Sequence, residues 1–190
     1  MHSSPKPLGE FDLIERFFKT PSSSRSPNPA INLGIGDDCA LINPPLGEEI
    51  AMTSDMLVEG RHFLKGTDAE QLGRKALVVN LSDLAAMGAK PLGFTLSIAL
   101  PNIDIQWLEA FSKGLLSIAD QFHCPLIGGD TTAGPLNISI TALGSMPHGK
   151  AIRRSGSQVD DEVWVSGTVG DARLTLAALH HEIALPANDL

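Results

Sequence analysis

Five acidic sites carry the chemistry that this sequence can be expected to do. Asp37 and Asp38 follow Gly34 and Gly36 in NLGIGDDCALI, Asp55 closes MTSD, Asp83 stands inside ALVVNLSDLAAM, and Asp130 follows Gly128 and Gly129 in LIGGDTT. An oxygen-only ligand set suits Mg²⁺, which takes one or two carboxylates and fills its remaining positions with water and phosphate oxygens. Thr53 and Ser54 would add oxygens beside Asp55, Thr53 through its backbone carbonyl. Asp83 makes the sharpest case. A carboxylate taken out of water is costly unless it is paired or coordinates a cation, and the nearest basic residues, Arg74, Lys75 and Lys90, stand at the two ends of the stretch. Asn80 lies one turn earlier, so the expected helix carries a narrow polar stripe that would face a metal-phosphate site. Each motif also has a structural use, because an Asp caps a neighbouring loop and Gly-Asp turns the chain.

Periodicity and turn chemistry define the elements that must position these residues. Residues 9–19 (GEFDLIERFFK) predict a short amphipathic helix with Phe11, Ile14 and Phe18 on one face, and residues 21–29, rich in Ser, Pro and Asn, predict a loop. Strands are expected over 39–42 and 50–53, the second ending in Ser54-Asp55. A cap residue with Gln71 three places later starts a long helix that runs to Met87 and is stopped by Gly88 and Pro91. Its side chains from Ala76 onward are nearly all apolar or small, which predicts burial on all sides. A strand over 93–100 follows. A helix over 105–122 is capped by Asp104 and repeats Trp107, Phe111, Leu115, Ile118 and Phe122 at helical spacing. A short strand over 125–127 ends at the Gly-Gly-Asp segment, and an alternating strand covers 136–144. Strand ends on one edge of a sheet converge, and that convergence would gather the carboxylates.

Residues 145–161 are polar and turn-rich, as inter-domain segments are. A strand over 162–166 and a helix from about 168 to 181 come next, and so small a unit cannot bury a core by itself. The expected domains are therefore a leader, helix and loop over 1–30, a main domain carrying the acidic sites over 31–147, and a linker with the truncated start of a second domain over 148–190.

Composition sets the class. With 43% hydrophobic and 19% charged residues, 190 residues suffice for a packed core. A net charge of -8 and the absence of any basic block argue against a nucleic-acid or anionic-membrane binder. No uninterrupted apolar run is long enough to span a bilayer. MHSSPKPLGE lacks a hydrophobic signal core, which makes the cytoplasm the expected compartment. Cys39 and Cys124 have no ligand-like spacing, and neither do the six histidines.

GEFDLIERFF, GIGDDCAL, TSDMLVEGRHF, KALVVNLSDLAAMGAKP, LIGGDTTAGP and RRSG stand in the order and spacing found in thiamine-monophosphate kinases. Over about residues 9–178 the chain resembles that family, part of the superfamily typified by aminoimidazole ribonucleotide synthetase. The NLSDLAAMGA and Gly-Gly-Asp-Thr segments are widespread in the superfamily, whereas TSDMLVEGRHF is more selective. The resemblance implies an α/β (α+β) fold whose mixed-sheet N-terminal domain pairs with a second copy into a dimeric barrel, followed by a second α/β domain. It implies ATP and Mg²⁺ binding by the domain over 31–147, and transfer of the ATP γ-phosphoryl group to thiamine monophosphate, giving thiamine diphosphate, with several Mg²⁺ ions. Carried over position by position, Asp38, Thr53, Ser54, Asp55, Asp83 and Asp130 match magnesium ligands. Gly129, Asp130 and Arg154 match ATP contacts, and His62 matches a substrate contact. Asp37 matches no ligand and is expected to fix its loop, and no catalytic group beyond the ligands is implied.

That reaction suits the residue types. The acceptor phosphate is already mostly ionised at neutral pH, with a second pKa of about 6, so positioning and charge cancellation matter more than a strong base. Two other readings stay open: a dimerising Mg-nucleotide-binding domain without turnover, and a metal-dependent phosphohydrolase.

Overall fold

The computed structural model describes residues 9–23 and 28–184, so the leader 1–8 and residues 24–27 of the expected loop lie outside the described residues. Helix α1 (Glu10–Leu13) passes into a π turn (Ile14–Lys19) and then into α2 (Thr20–Ser23). A π turn adds a residue per turn and shifts the phase of everything after it. The buried face is accordingly Leu13, Phe17 and Phe18, while Phe11, expected on that face, is 83% exposed. The helix also continues through residues 21–23, where a loop was expected.

Strands β1 (Ile31–Leu33) and β2 (Leu41–Ile42) form a small antiparallel pair. The main sheet contains β3 (Glu48–Val58), β4 (Lys90–Leu100), β5 (Leu126–Ala133) and β6 (Asn137–Pro147) in the order β3-β6-β4-β5. It is mixed, because β4 and β5 are parallel while β6 runs antiparallel to both β3 and β4. Helices α3 (Ala69–Ala86) and α4 (Ile105–Gln121) are the crossovers from β3 to β4 and from β4 to β5, so each runs antiparallel to the strands it joins.

Both helix starts follow from local chemistry. The Asp68 carboxylate accepts the Gln71 N–H at 2.9 Å, and the Asp104 carboxylate accepts the N–H groups of Gln106 and Trp107 at 3.0 and 3.1 Å. Trp107 then stacks on Phe111 with ring centroids 5.0 Å apart. The two helices approach closely enough that a Cβ on Gly73 would lie 2.1 Å from the Phe111 carbonyl oxygen, and one on Gly114 would lie 1.9 Å from that of Glu70. Glycine is what permits this crossing. The core fills the space between these helices and one face of the sheet, with Leu77, Phe94, Phe111, Leu115, Ile140 and Ala142 fully covered.

Three expectations within the sheet and α3 need correction. The strand expected over 50–53 is eleven residues long, since its alternation continues to Val58, and Asp55 is inside it. The Gly-Gly-Asp segment belongs to β5 instead of ending a strand. Helix α3 is not buried all round, because a single layer of helices covers only one side of each helix. Val78, Ser82, Asp83, Ala85 and Ala86 are all exposed.

The chain divides between Arg153 and Arg154. Residues up to 152 stay with the first unit, where the Ile152 N–H donates to the Met87 carbonyl at 3.1 Å. The second unit contains a 3-10 turn (Arg154–Gly156) and helix α5 (Asp171–Leu179). The strand expected over 162–166 does not form, for it has no strand beside it among the described residues, and Val163, Trp164 and Val165 are exposed. Among the described residues, no helix is long and apolar enough to cross a membrane.

Candidate functional site

Alternation along β3 decides which of its oxygens can act together. Ala51, Thr53, Asp55 and Leu57 face the helices, whereas Ile50, Met52, Ser54 and Met56 face away. Thr53 Oγ1 donates to Asp83 Oδ2 on α3 at 2.7 Å, a short hydrogen bond to a charged acceptor. Thr53 and Asp83 are thus joined where α3 meets the edge strand, and alternation puts Asp55 on the same face of β3, so these three make up the oxygen group at this edge. Ser54 is on the other side of the sheet, 3.0 Å from its register partner Thr141 through their hydroxyls. Asp83 is exposed, so the desolvation argument for a compensating cation does not hold in this chain. Asn80, three residues earlier, is fully buried, its Nδ2 donating to the Ala76 carbonyl at 3.2 Å. A three-residue step rotates about 60° short of a full turn, which here separates a covered position from an open one.

The second group lies at the opposite edge of the sheet. Register pairs Ser97 with Asp130, and Ser97 faces away from the core, so Asp130 does too. Gly129 has φ +145, and a Cβ there would stand 1.8 Å from the Leu96 carbonyl oxygen, so glycine is required for β5 to run beside β4 at that point. Gly129 and Asp130 share an open cavity of about 830 Å³ with Asp37 and Asp38 of the β1–β2 connection. Asp37 holds that connection, its carboxylate accepting the Asp38 N–H at 2.8 Å. Glu10, Glu15 and Lys19 bring the N-terminal helix to the same cavity. Lys19 lies 3.0 Å from Glu15, and hydrogen bonds from Lys19 first and Thr20 second hold the Glu15 carboxyl below the usual carboxylate range.

The expected convergence on one rim is not what a single chain does. Strands β3 and β5 are the two edges of the four-stranded sheet, three strand spacings apart, or about 14 Å. Among the described residues, no three acidic, histidine or cysteine side chains stand close enough to hold a metal ion between them. The donor chemistry fits Mg²⁺ all the same, since that ion commonly uses one or two carboxylates and takes its other oxygens from water and phosphate. Each edge offers such a partial set.

The remaining candidates stand elsewhere. His62 follows β3 in a turn where the Val58 N–H donates to its Nδ1 at 3.1 Å, which leaves Nε2 free to donate. Lys75 Nζ holds the same turn through the His62 carbonyl. Arg154 opens the second unit and is exposed. Sequence reasoning missed Thr141, visible only through sheet register, and Lys19, whose position depends on a π turn that no periodicity announces.

Residues 36–146 match the family described as AIR synthase related protein, N-terminal domain. The chain belongs to that family. Within it, the chain is 47% identical over 175 residues to the thiamine-monophosphate kinases of Salmonella typhimurium (strain LT2) and Escherichia coli (strain K12), aligning 92% of its own length and 53% of theirs. The crystal structure of thiamine-monophosphate kinase from Stenotrophomonas maltophilia K279a superposes with a TM-score of 0.79 at 47% identity, covering 92% of this chain and 54% of that one. A solved structure of AaThiL complexed with AMPPCP and TMP superposes at 0.67 with 32% identity, covering 97% and 57%. The chain thus spans about half the length of the curated relatives it matches.

Proposed function

We propose that this chain supplies the nucleotide- and magnesium-binding part of a kinase that transfers the ATP γ-phosphoryl group to thiamine monophosphate, giving thiamine diphosphate and ADP. The observation that carries the reading is the 47% identity to two thiamine-monophosphate kinases across 92% of the chain. The two oxygen groups support it, as does AaThiL, complexed with AMPPCP and TMP. Asp38, Thr53, Ser54, Asp55, Asp83 and Asp130 would hold the magnesium ions. Bound magnesium would cancel charge between two phosphates that otherwise repel.

The chain's own groups do the positioning. Thr53 fixes the Asp83 carboxylate through its hydroxyl, and Asp37 sets the backbone of Asp38. Gly129 and Asp130 would meet the nucleotide along the edge of β5, and Arg154 would add a guanidinium contact to phosphate. His62, its ring oriented by the Val58 N–H, would present Nε2 to thiamine monophosphate. We further propose that the protein acts as a homodimer in the cytoplasm, with no nucleic-acid or membrane partner.

Product analysis tests the reaction. The chain is incubated with Mg-ATP and thiamine monophosphate, and the products are separated. Thiamine diphosphate supports the kinase. Free phosphate without diphosphate points instead to a phosphohydrolase, and nucleotide binding without turnover points to a binding domain.

A further inference from the structure

We propose that Lys19, at the end of the π turn, is a phosphate contact of the nucleotide cavity, donating from its ammonium group to an oxygen of the polyphosphate; this rests on the nucleotide-binding reading above. The cavity is lined by Glu10, Glu15, Asp37, Asp38 and Asp130, and Lys19 is the one basic side chain among the described residues that line it. A polyphosphate entering so acidic a space gains from every fixed cation on its wall.

The backbone places that cation deliberately close to the acidic loop. The π turn sends the successive residues Phe17 and Phe18 into the core, at 2% and 3% exposure, and the next side chain, Lys19, lines the cavity. Lys19 then extends over Gly36, immediately before Asp37-Asp38. A Cβ on Gly36, whose φ is +129, would stand 3.4 Å from Lys19 Cε and 3.7 Å from Nζ. Glycine leaves this space to the lysine stem. An exposed i, i+4 pair with Glu15 explains helix support but does not explain an approach to the GIGDD loop. The ammonium group has three donors, so it can keep Glu15 and still reach a phosphate oxygen.

Calorimetric titration of the full chain with Mg-AMPPCP, beside adenosine as a ligand without phosphates, tests this. Three variants are compared with the wild type: Lys19→Gln, Lys19→Arg and Glu15→Gln, each checked for an unchanged circular dichroism spectrum. The expected result is that Lys19→Gln weakens Mg-AMPPCP about tenfold, the scale of one charged hydrogen bond, without changing adenosine binding. Lys19→Arg and Glu15→Gln should stay within about threefold of wild type. If Lys19→Gln binds Mg-AMPPCP as the wild type does, or if Glu15→Gln loses as much as Lys19→Gln, the phosphate role is overturned and Lys19 serves the helix only. If the wild type itself does not bind Mg-AMPPCP, the nucleotide reading falls first, and this inference goes with it.

Discussion

Asp83 combines two properties that make its role measurable. It is exposed, so the fold does not depend on solvating its charge, and it is fixed by the Thr53 hydroxyl, so its orientation is set before any ligand arrives. Asn in its place still accepts the Thr53 hydrogen bond but carries no charge. Asp83→Asn should therefore change stability by less than about 0.5 kcal/mol, as most exposed substitutions do. Mg-dependent nucleotide affinity should fall at least about tenfold, or roughly 1.4 kcal/mol. Urea unfolding and a nucleotide titration at two magnesium concentrations read the two quantities separately. Unfolding of the variant with metal affinity intact would assign Asp83 to structure. Cys124 gives a second residue-scale prediction. Burial pushes its thiol up to about 12, while in the unfolded chain it titrates near the ordinary value of about 8.5. The unfolded chain then releases its proton first as pH rises. The Cys124 contribution to stability is complete below about pH 8.5 and is lost toward pH 12, at up to about 1.4 kcal/mol per pH unit. Cys124→Ala should flatten that alkaline slope in urea unfolding followed from pH 8 to 11.

At the scale of elements, the helices were the legible part of the sequence and the strand ends were not. Asp68 and Asp104 announce their helices because a cap is a local interaction, complete within three residues. The strand lengths depend on partners far away in sequence. Ser54 and Asp55 pair with Thr141 and Ile140, and Asp130 with Ser97, so residues that resemble strand ends are strand interiors. That is why the carboxylates could be named from their motifs while their expected meeting place could not. The π turn is illegible for a related reason, since it interrupts the period from which a face is read. The close helix crossing is equally silent in the sequence, and it yields a sharp prediction. Gly114→Ala would put a methyl group 1.9 Å from the Glu70 carbonyl oxygen, and backbone cannot step aside as a side chain can. The helices must separate. Overpacking of this kind costs about 1–3 kcal/mol, which should lower the urea midpoint by about 1 M. An unchanged midpoint would mean that the α3–α4 crossing is looser than described.

At the scale of the first unit, helices cover one face of the sheet, and the other face carries apolar side chains that stand exposed among the described residues. Ile50, Met52 and Met56 on β3 are 43%, 70% and 55% exposed. Apolar surface in a row along an edge strand invites a second chain, both by burial and through the strand's unpaired backbone groups. In the proposed homodimer, two such sheets closing into a barrel would cover these side chains and give both edge strands a partner. The two edges, β3 and β5, are also the strands that carry the two oxygen groups. Assembly and cation-dependent nucleotide binding should therefore be coupled. Met52→Lys tests this directly: it places a charge where the apolar row would be buried, yet Met52 faces away from Thr53 and Asp83 and is not among the residues that line the cavity at Asp130. The variant should sediment as a monomer at concentrations where the wild type is a dimer, keep its helical circular dichroism, and lose Mg-dependent nucleotide affinity in parallel. A monomeric variant that binds nucleotide as tightly as the wild type would separate the two properties and confine the site to one chain. A variant that remains dimeric would move the contact to another face.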